Sequence, residues 1–493
     1  MFSDIRRLGK HASIYTIGNL LTKLAGFLLL PLYTSYLTPA DYGTLELLLL
    51  AAPIISTALG AGLSQATVRL FYDSEEKTYR KKLVATALYT SFIGSAIGCF
   101  ILISLSDFFS NFFFKDNLHQ DFFILVFYAL FFELCMEVPL SFIRVMERSI
   151  FFVTVSLMRL LLAISLNVMF LVYLDTGLVG ILYSDVITAL FAAILLVWTT
   201  VRYCGFHYSL SLLKDLFVYG FPLIFVGYGM IALSLVDRYL LSIHVDLTAL
   251  GIYSLGLKFA TLLTIVVVTP FWRSYGPFRF SIMKQDNAKQ IYARVFTYYI
   301  IVSCWAALGL SLLGREVVFI MTDELFWDAY KIIPYLSVGL IFYGTYYMVQ
   351  TGIYINKKTK YIGYIMNSVA LVKIAIAWWL IKEWGVYGAG VSSIIGFLLL
   401  SIITYVVAQK IYPISYEWWR VVKVILLMSI AYIAGVSLED YNLWIVVLIK
   451  LMILMAIPVI IVWGRILHDD EKAIVLNKLS ILFTKLKLRH SDV

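Results

Sequence analysis

The chain is 493 residues long, 61% hydrophobic and 14% charged, with a mean hydropathy of +0.89. A soluble domain carries about 25% charged residues, so this composition excludes an ordinary globular enzyme and implies an all-α polytopic membrane protein. The net charge of +9 does not point to nucleic acid, because the basic residues gather in alternate loops.

A bilayer crossing takes roughly 20 apolar residues. About fourteen runs of that length follow one another: 12–36, 44–70, 83–106, 120–142, 152–174, 177–200, 218–243, 248–271, 292–313, 329–354, 361–381, 385–409, 419–437 and 443–464. The links between them are short, and none is large enough to fold separately. The first hairpin, Ile14 to Tyr72, turns at Thr38-Pro39-Ala40-Asp41-Tyr42-Gly43, where Pro and Gly interrupt both helices. No cleavage site follows the first run, which reads as an uncleaved span. The four cysteines (Cys99, Cys135, Cys204 and Cys304) have neither metal nor disulfide-framework spacing.

Lys and Arg set the expected orientation. With the N-terminus and its Arg6, Arg7 and Lys10 in the cytoplasm, the basic links fall on the same side. They include Arg80 to Lys82, Arg144 and Arg148, Arg273 to Arg294, and Lys357 to Lys360. The opposite links are rich in acids such as Asp41, Asp107, Asp323, Glu324 and Asp440. Both termini are therefore expected to be cytoplasmic. The tail, 467–493, carries Ile474, Leu479, Leu482 and Leu486 at helical spacing between lysines. It reads as a basic amphipathic helix on an anionic leaflet.

A weak repeat runs through the first twelve spans. Gly43 is echoed by Gly251, and Gly177-Leu178-Val179-Gly180 by Gly385-Val386-Tyr387-Gly388, both at an offset of 208 residues. The basic link before the fifth run matches the one before the eleventh. Six spans separate the copies, so they run in the same direction, as parallel repeats do. The expected plan is two pseudo-symmetric six-helix bundles, 1–205 and 206–412, around a central cavity. An additional helix pair, 413–466, and the tail follow.

Charges inside the membrane mark function. The cations are Lys23, Arg69, Arg159, Arg238, Lys258, Lys373 and Lys450, and the anions are Glu46, Glu133, Glu137, Asp185 and Asp237. Cations in excess favour an anionic cargo, because Lys and Arg are natural counter-ions for phosphate. Candidate substrate-binding residues are Lys23, Arg69, Arg159, Lys258 and Lys373. Lys23 and Lys258 are expected to border one cavity. Asp237 and Arg238 cannot face each other on a helix, so each needs another partner, and a structural or gating role is expected. Glu133 and Glu137, one turn apart, are candidates for ion coupling, with pairing to a basic residue as the alternative. Lys450 is expected to snorkel. Tyr343, Tyr346 and Tyr347 lie inside a run and either stack on sugar or pack against neighbouring helices. No phosphate-binding Gly-Lys-Ser/Thr loop, acidic metal motif or His cluster is present, so neither enzymatic activity nor a cofactor or metal is expected.

Three stretches carry a family resemblance. Asn19-Leu20 with Lys23, the Thr38-to-Gly43 link, and a second helix closing on Gln65 and Arg69 together resemble the polysaccharide-type flippases. These belong to the multidrug/oligosaccharidyl-lipid/polysaccharide exporter superfamily. The resemblance implies two lobes around an alternating-access cavity in a bacterial cytoplasmic (inner) membrane. It also implies transfer of an undecaprenyl-pyrophosphate-linked oligosaccharide to the outer leaflet for surface polysaccharide biosynthesis. The expected partners are that lipid-linked oligosaccharide, membrane lipids, and polysaccharide polymerase and chain-length machinery, for a monomeric transporter. A cation-coupled drug or small-molecule exporter of the same superfamily is the alternative. A surface-polysaccharide polymerase or ligase stands third.

Overall fold

The computed structural model describes residues 26–438, 443–464 and 466–473. Among the described residues the regular structure is helical, without strands. In chain order the helices are α1 (Leu30–Tyr36), α2 (Pro39–Leu59), α3 (Leu63–Leu70), α4 (Lys77–Ser104), α5 (Ser106–Phe114), α6 (Gln120–Val145), α7 (Ser149–Val168) and α8 (Gly177–Cys204). Next come α9 (Leu210–His244), α10 (Leu247–Leu263), α11 (Thr269–Ile282), α12 (Ala288–Met321), α13 (Ile333–Val349), α14 (Thr351–Ile355), α15 (Lys360–Ile411), α16 (Trp418–Val436) and α17 (Leu443–Trp463).

Among the described residues, twelve helical stretches are long and apolar enough to cross a membrane. The count differs from the fourteen expected runs for two reasons. The first run is described only from Gly26 onward. The eleventh and twelfth runs lie within α15, whose 52 residues would span about 78 Å if straight, more than twice the hydrocarbon thickness. That helix breaks at Gly385 (φ 54°, ψ −127°) and folds back. A Cβ on Gly388 would lie 2.1 Å from the Leu380 carbonyl oxygen, and one on Gly396 would lie 2.5 Å from Cδ of Lys373.

The helix starts follow local rules that recur at the 208-residue offset. Thr38 caps α2 by accepting from the Asp41 amide, while the Asp41 carboxylate accepts from the Thr38 amide. Asp246 caps α10 by accepting from the Ala249 amide at 2.6 Å. Gly177 and Gly385, also one offset apart, both have positive φ (57° and 54°), a conformation that glycine adopts without steric cost.

The same offset pairs Gly43 with Gly251, and these two glycines meet where α2 crosses α10. A Cβ on Gly43 would lie 1.9 Å from the Leu247 carbonyl oxygen, and one on Gly251 would lie 2.0 Å from that of Pro39. The contact is reciprocal, as a two-fold relation between the copies requires.

Two other features position the site. Helix α9 does not keep to one side of the 205/206 boundary. Its early Leu212 and Leu216 pack in a core with Leu83 and Ala87 of α4, whereas Leu233 packs with Ile365 and Val369 of α15. The additional pair α16 and α17 is fastened to α12. Lys450 Nζ donates to Glu316 at 2.7 Å, and both residues are buried. Trp305 Nε1 donates to the Leu454 carbonyl at 3.0 Å. The expected snorkelling of Lys450 is thus replaced by an internal ion pair, because the carboxylate of Glu316 lies within reach inside the bundle. The described start of the tail docks on the same group of helices. Arg420, on α16, pairs with Glu471 at 2.5 Å, and Arg294, on α12, pairs with Asp470 at 2.7 Å. Burial opposes the Glu471 carboxylate, yet hydrogen bonds from Tyr298, Arg420 and the His468 amide hold its pKa below the ordinary value. The apolar positions of the expected amphipathic helix, from Ile474 on, lie outside the described residues.

Candidate translocation cavity

Helical spacing aims three faces at one space. On α6, Glu133, Met136, Glu137, Leu140 and Arg144 recur at i, i+3, i+4, i+7 and i+11. On α7, Phe152, Val155, Ser156 and Arg159 do the same over two turns, and Asp185, Ala192 and Leu196 mark a stripe on α8. These faces surround two adjoining cavities. One, of about 590 Å³, is lined by Arg144, Ser156 and Arg159 from these helices and is closed by Trp272 and Arg273 of α11. The other, of about 450 Å³, is lined by Glu133, Glu137, Arg159 and Asp185, with Pro53 and Ser56 of α2. Leu140 and Arg159 belong to both walls.

The two cavities differ in charge. The larger one presents three guanidiniums. Among the described residues, the side chains of Arg144 and Arg273 have no hydrogen-bond or ion-pair partner, and both are exposed. Arg159 instead forms an ion pair with Glu133 and borders both the larger cavity and the smaller, carboxylate-bearing one. From Arg144 to Glu133 the helical rise is about 16 Å, so the charge changes sign about halfway along a span.

A third group of charges lies on α2, α9 and α10. Arg238 donates to Glu46 Oε2 at 2.9 Å, and Lys258 Nζ lies 3.9 Å from the other oxygen of that carboxylate. Lys258 also donates to the Tyr42 hydroxyl at 3.0 Å. Tyr42 and Glu46 are one turn apart on α2, so a single helix presents both oxygens to the Lys258 ammonium. The cluster is net positive and retains spare donors. The Arg238 Nε is buried without a hydrogen-bond partner among the described residues, and 31% of the Lys258 side-chain surface stays open.

The expected site residues therefore separate. Arg159 and Lys258 stand at cavity and cluster, with Glu133 and Glu137 beside the former. Arg238 pairs with Glu46, so this part of the Asp237–Arg238 dipeptide reaches the N-terminal helices. Asp237 faces the other way. It accepts from Lys373 Nζ at 2.7 Å, from Ser393 at 2.7 Å and from Ser392, while Lys373 also donates to the Leu233 carbonyl at 2.5 Å. Lys373 is 1% exposed and lines neither cavity. Arg69 is exposed at the surface and pairs with Asp73 in the link just past the end of α3. Lys23 lies outside the described residues; Gly26, three residues later, is near Lys258, whose Cε would be 3.9 Å from a Cβ there. Of the tyrosines, Tyr346 is buried, and Tyr343 and Tyr347 share a hydroxyl–hydroxyl hydrogen bond of 2.7 Å.

Arg144, Trp272 and Arg273 were not anticipated. In the sequence the two arginines read only as orienting charges. Loop charge and cavity charge are indistinguishable by position in sequence, because both sit at the basic end of a span.

Comparison with known proteins bears on the family and the fold. A family model described as polysaccharide biosynthesis protein matches residues 8–283, more than half of the chain. No curated protein matches the sequence. Among solved structures, the lipid II flippase MurJ in an inward closed conformation superposes with a TM-score of 0.71 at 16% identity, over 92% of this chain and 99% of that one. An inward-facing multidrug resistance MATE family transporter of the MOP superfamily gives 0.64 at 15% identity, over 79% and 94%. A MOP superfamily transporter from Pyrococcus furiosus, described as having a binding pocket of reverse polarity, gives 0.57 at 16% identity, over 82% and 94%. At these identities the likeness is one of fold.

Proposed function

Because this chain belongs to the polysaccharide biosynthesis protein family and shares the fold of the flippase and exporter superfamily, we propose that it carries a lipid-linked oligosaccharide across the membrane. The cargo in this reading is an undecaprenyl-pyrophosphate-linked glycan, moved from the cytoplasmic to the outer leaflet by alternating access. Two lobes, 1–205 and 206–412, rock about the Gly43–Gly251 crossing, with the start of α9 bridging to the first lobe, and the pair 413–466 travels with the second lobe. The observation that supports the reading is the pair of arginines, Arg144 and Arg273, which have no side-chain partner among the described residues and line one cavity of about 590 Å³ beside Arg159. Guanidiniums at a cavity wall suit an anionic cargo, and their planar forks match phosphate oxygens. Arg144, Arg159 and Arg273 receive the head group on the basic side. Lys258 and Arg238 offer a second positive station deeper in the span. The lipid tail stays in the bilayer, and an inside-negative potential assists outward movement of the phosphate by about 2.3 kcal/mol per charge per 100 mV.

Transport of a fluorescent lipid-linked oligosaccharide in proteoliposomes tests this reading. Each charge-assisted contact contributes roughly 1.5–3 kcal/mol, so Arg144→Gln with Arg273→Gln should slow transport about tenfold or more. Lysine at both positions should keep part of the rate. Wild-type transport by the double Gln variant, inserted at normal levels, would refute the reading. The carboxylates Glu133, Glu137 and Asp185 in the adjoining cavity favour the second reading, an exporter of cationic small molecules. Efflux of a cationic dye that survives the double Gln change but not Glu133→Gln would support that alternative.

A further inference from the structure

Trp272 stands beside Arg273 on α11 and lines the same cavity as Arg144 and Arg159. Its surroundings differ from those of an ordinary packed or interfacial tryptophan. A packed ring would be buried, but Trp272 keeps 38% of its surface open. An interfacial ring anchors a span by facing lipid headgroups, whereas this one faces an arginine-lined cavity. The ring is also held in place. It leans on Tyr347 at 5.0 Å with a tilt of 43°, Tyr347 is tied to Tyr343 through their hydroxyls, and Tyr343 packs on Phe397 at 5.2 Å. Among the described residues no cation lies over the Trp272 ring, although Arg273 is its neighbour in the chain. The cavity therefore offers a held, partly open aromatic ring next to guanidiniums that lack a side-chain partner among the described residues.

An aromatic face is electron-rich, and the C–H face of a sugar ring is weakly positive, so the two stack while the hydroxyls remain wet. A prenyl or acyl chain gains nothing comparable there, because the bilayer solvates it equally well. We propose that Trp272 is the platform for the sugar directly attached to the phosphate, so that the cavity prefers a glycosylated lipid diphosphate to the same lipid diphosphate without sugar. This deepens the transport reading above and rests on it. Arg144, Arg159 and Arg273 hold the charge common to both lipids, and Trp272 distinguishes them. Emptied carrier lipid is then a weaker competitor for the cavity than loaded carrier.

The test measures the ratio of two affinities for the full-length protein in nanodiscs. The probes are a polyprenyl diphosphate bearing one hexose and the same polyprenyl diphosphate without sugar. The wild type should favour the glycosylated probe by roughly three- to tenfold, the range of an aromatic stacking contact. Trp272→Leu keeps apolar bulk without the aromatic face and should bring the ratio close to one. Trp272→Phe should keep part of the preference. Arg273→Gln should weaken both probes and leave the ratio in place. The platform is overturned if Trp272→Leu retains the wild-type ratio, or if the wild type binds both probes equally. If the wild type binds neither probe, the transport reading itself fails and the platform fails with it.

Discussion

A buried carboxylate such as Asp237 must be compensated, because removing a charge from water costs several kcal/mol. Lys373, Ser392, Ser393 and the Leu233 carbonyl surround it and its ammonium partner with hydrogen bonds, and both members of the pair are almost fully buried. These contacts tie α9 to both arms of α15. Removing one member leaves the other charged and unpaired, at a cost of about 3–5 kcal/mol. Lys373→Met should therefore lower the thermal unfolding temperature in detergent and reduce membrane-inserted protein. Adding Asp237→Asn should restore much of the loss, because no uncompensated charge then remains. A stable Lys373→Met protein that has lost only transport would instead place Lys373 among the cargo-binding residues. Lys258 contrasts with it: its partner Glu46 is shared with Arg238, and its side chain is partly open.

The crossing of α2 and α10 depends on the absence of two side chains. Backbone carbonyls occupy the space where Cβ atoms of Gly43 and Gly251 would stand. Backbone cannot rotate aside as a flexible side chain does, so the helices themselves must separate. Gly43→Val should reduce folded protein sharply in fluorescence-detected size-exclusion chromatography, and Gly251→Val should do the same. Gly94→Ala is the control, since its Cβ would meet nothing within 4 Å. Equal yields of Gly43→Val and Gly94→Ala would show that the crossing tolerates separation. The reciprocity of the contact also suits its proposed role as the pivot between lobes, because each copy presents the same surface to the other.

Orientation is a property of the whole molecule, and it decides which leaflet the arginine cavity serves. The residues that report it are exposed at opposite ends of the spans: Lys284 and Lys358 on the basic side and Glu324 on the acidic side. Cysteines placed at these positions, tested with an impermeant thiol reagent on intact cells, should react at Glu324→Cys only. After permeabilisation, Lys284→Cys and Lys358→Cys should react as well. Labelling of Lys284→Cys but not Glu324→Cys in intact cells would invert the molecule and direct Arg144 and Arg273 toward the outside.

Composition, run length and the Lys/Arg asymmetry were sufficient to read a multi-span helical membrane protein, because hydrocarbon leaves a chain few ways to satisfy its backbone. The 208-residue offset was legible for a similar reason: capping residues and positive-φ glycines are local requirements, so they recur wherever the same turn recurs. Side-chain partnership was not legible. Asp237 and Arg238 occupy adjacent positions yet serve different neighbours, since consecutive helical residues point about 100° apart. Lys373 and Lys258 look alike in an apolar run, and only packing buried one and left the other beside Glu46 and Tyr42. Arg144 and Arg273 read as orienting charges at the basic ends of spans. Tertiary structure brought them into one cavity with Trp272, because the distance across a helical bundle is set by how the helices lean and not by their order in the chain.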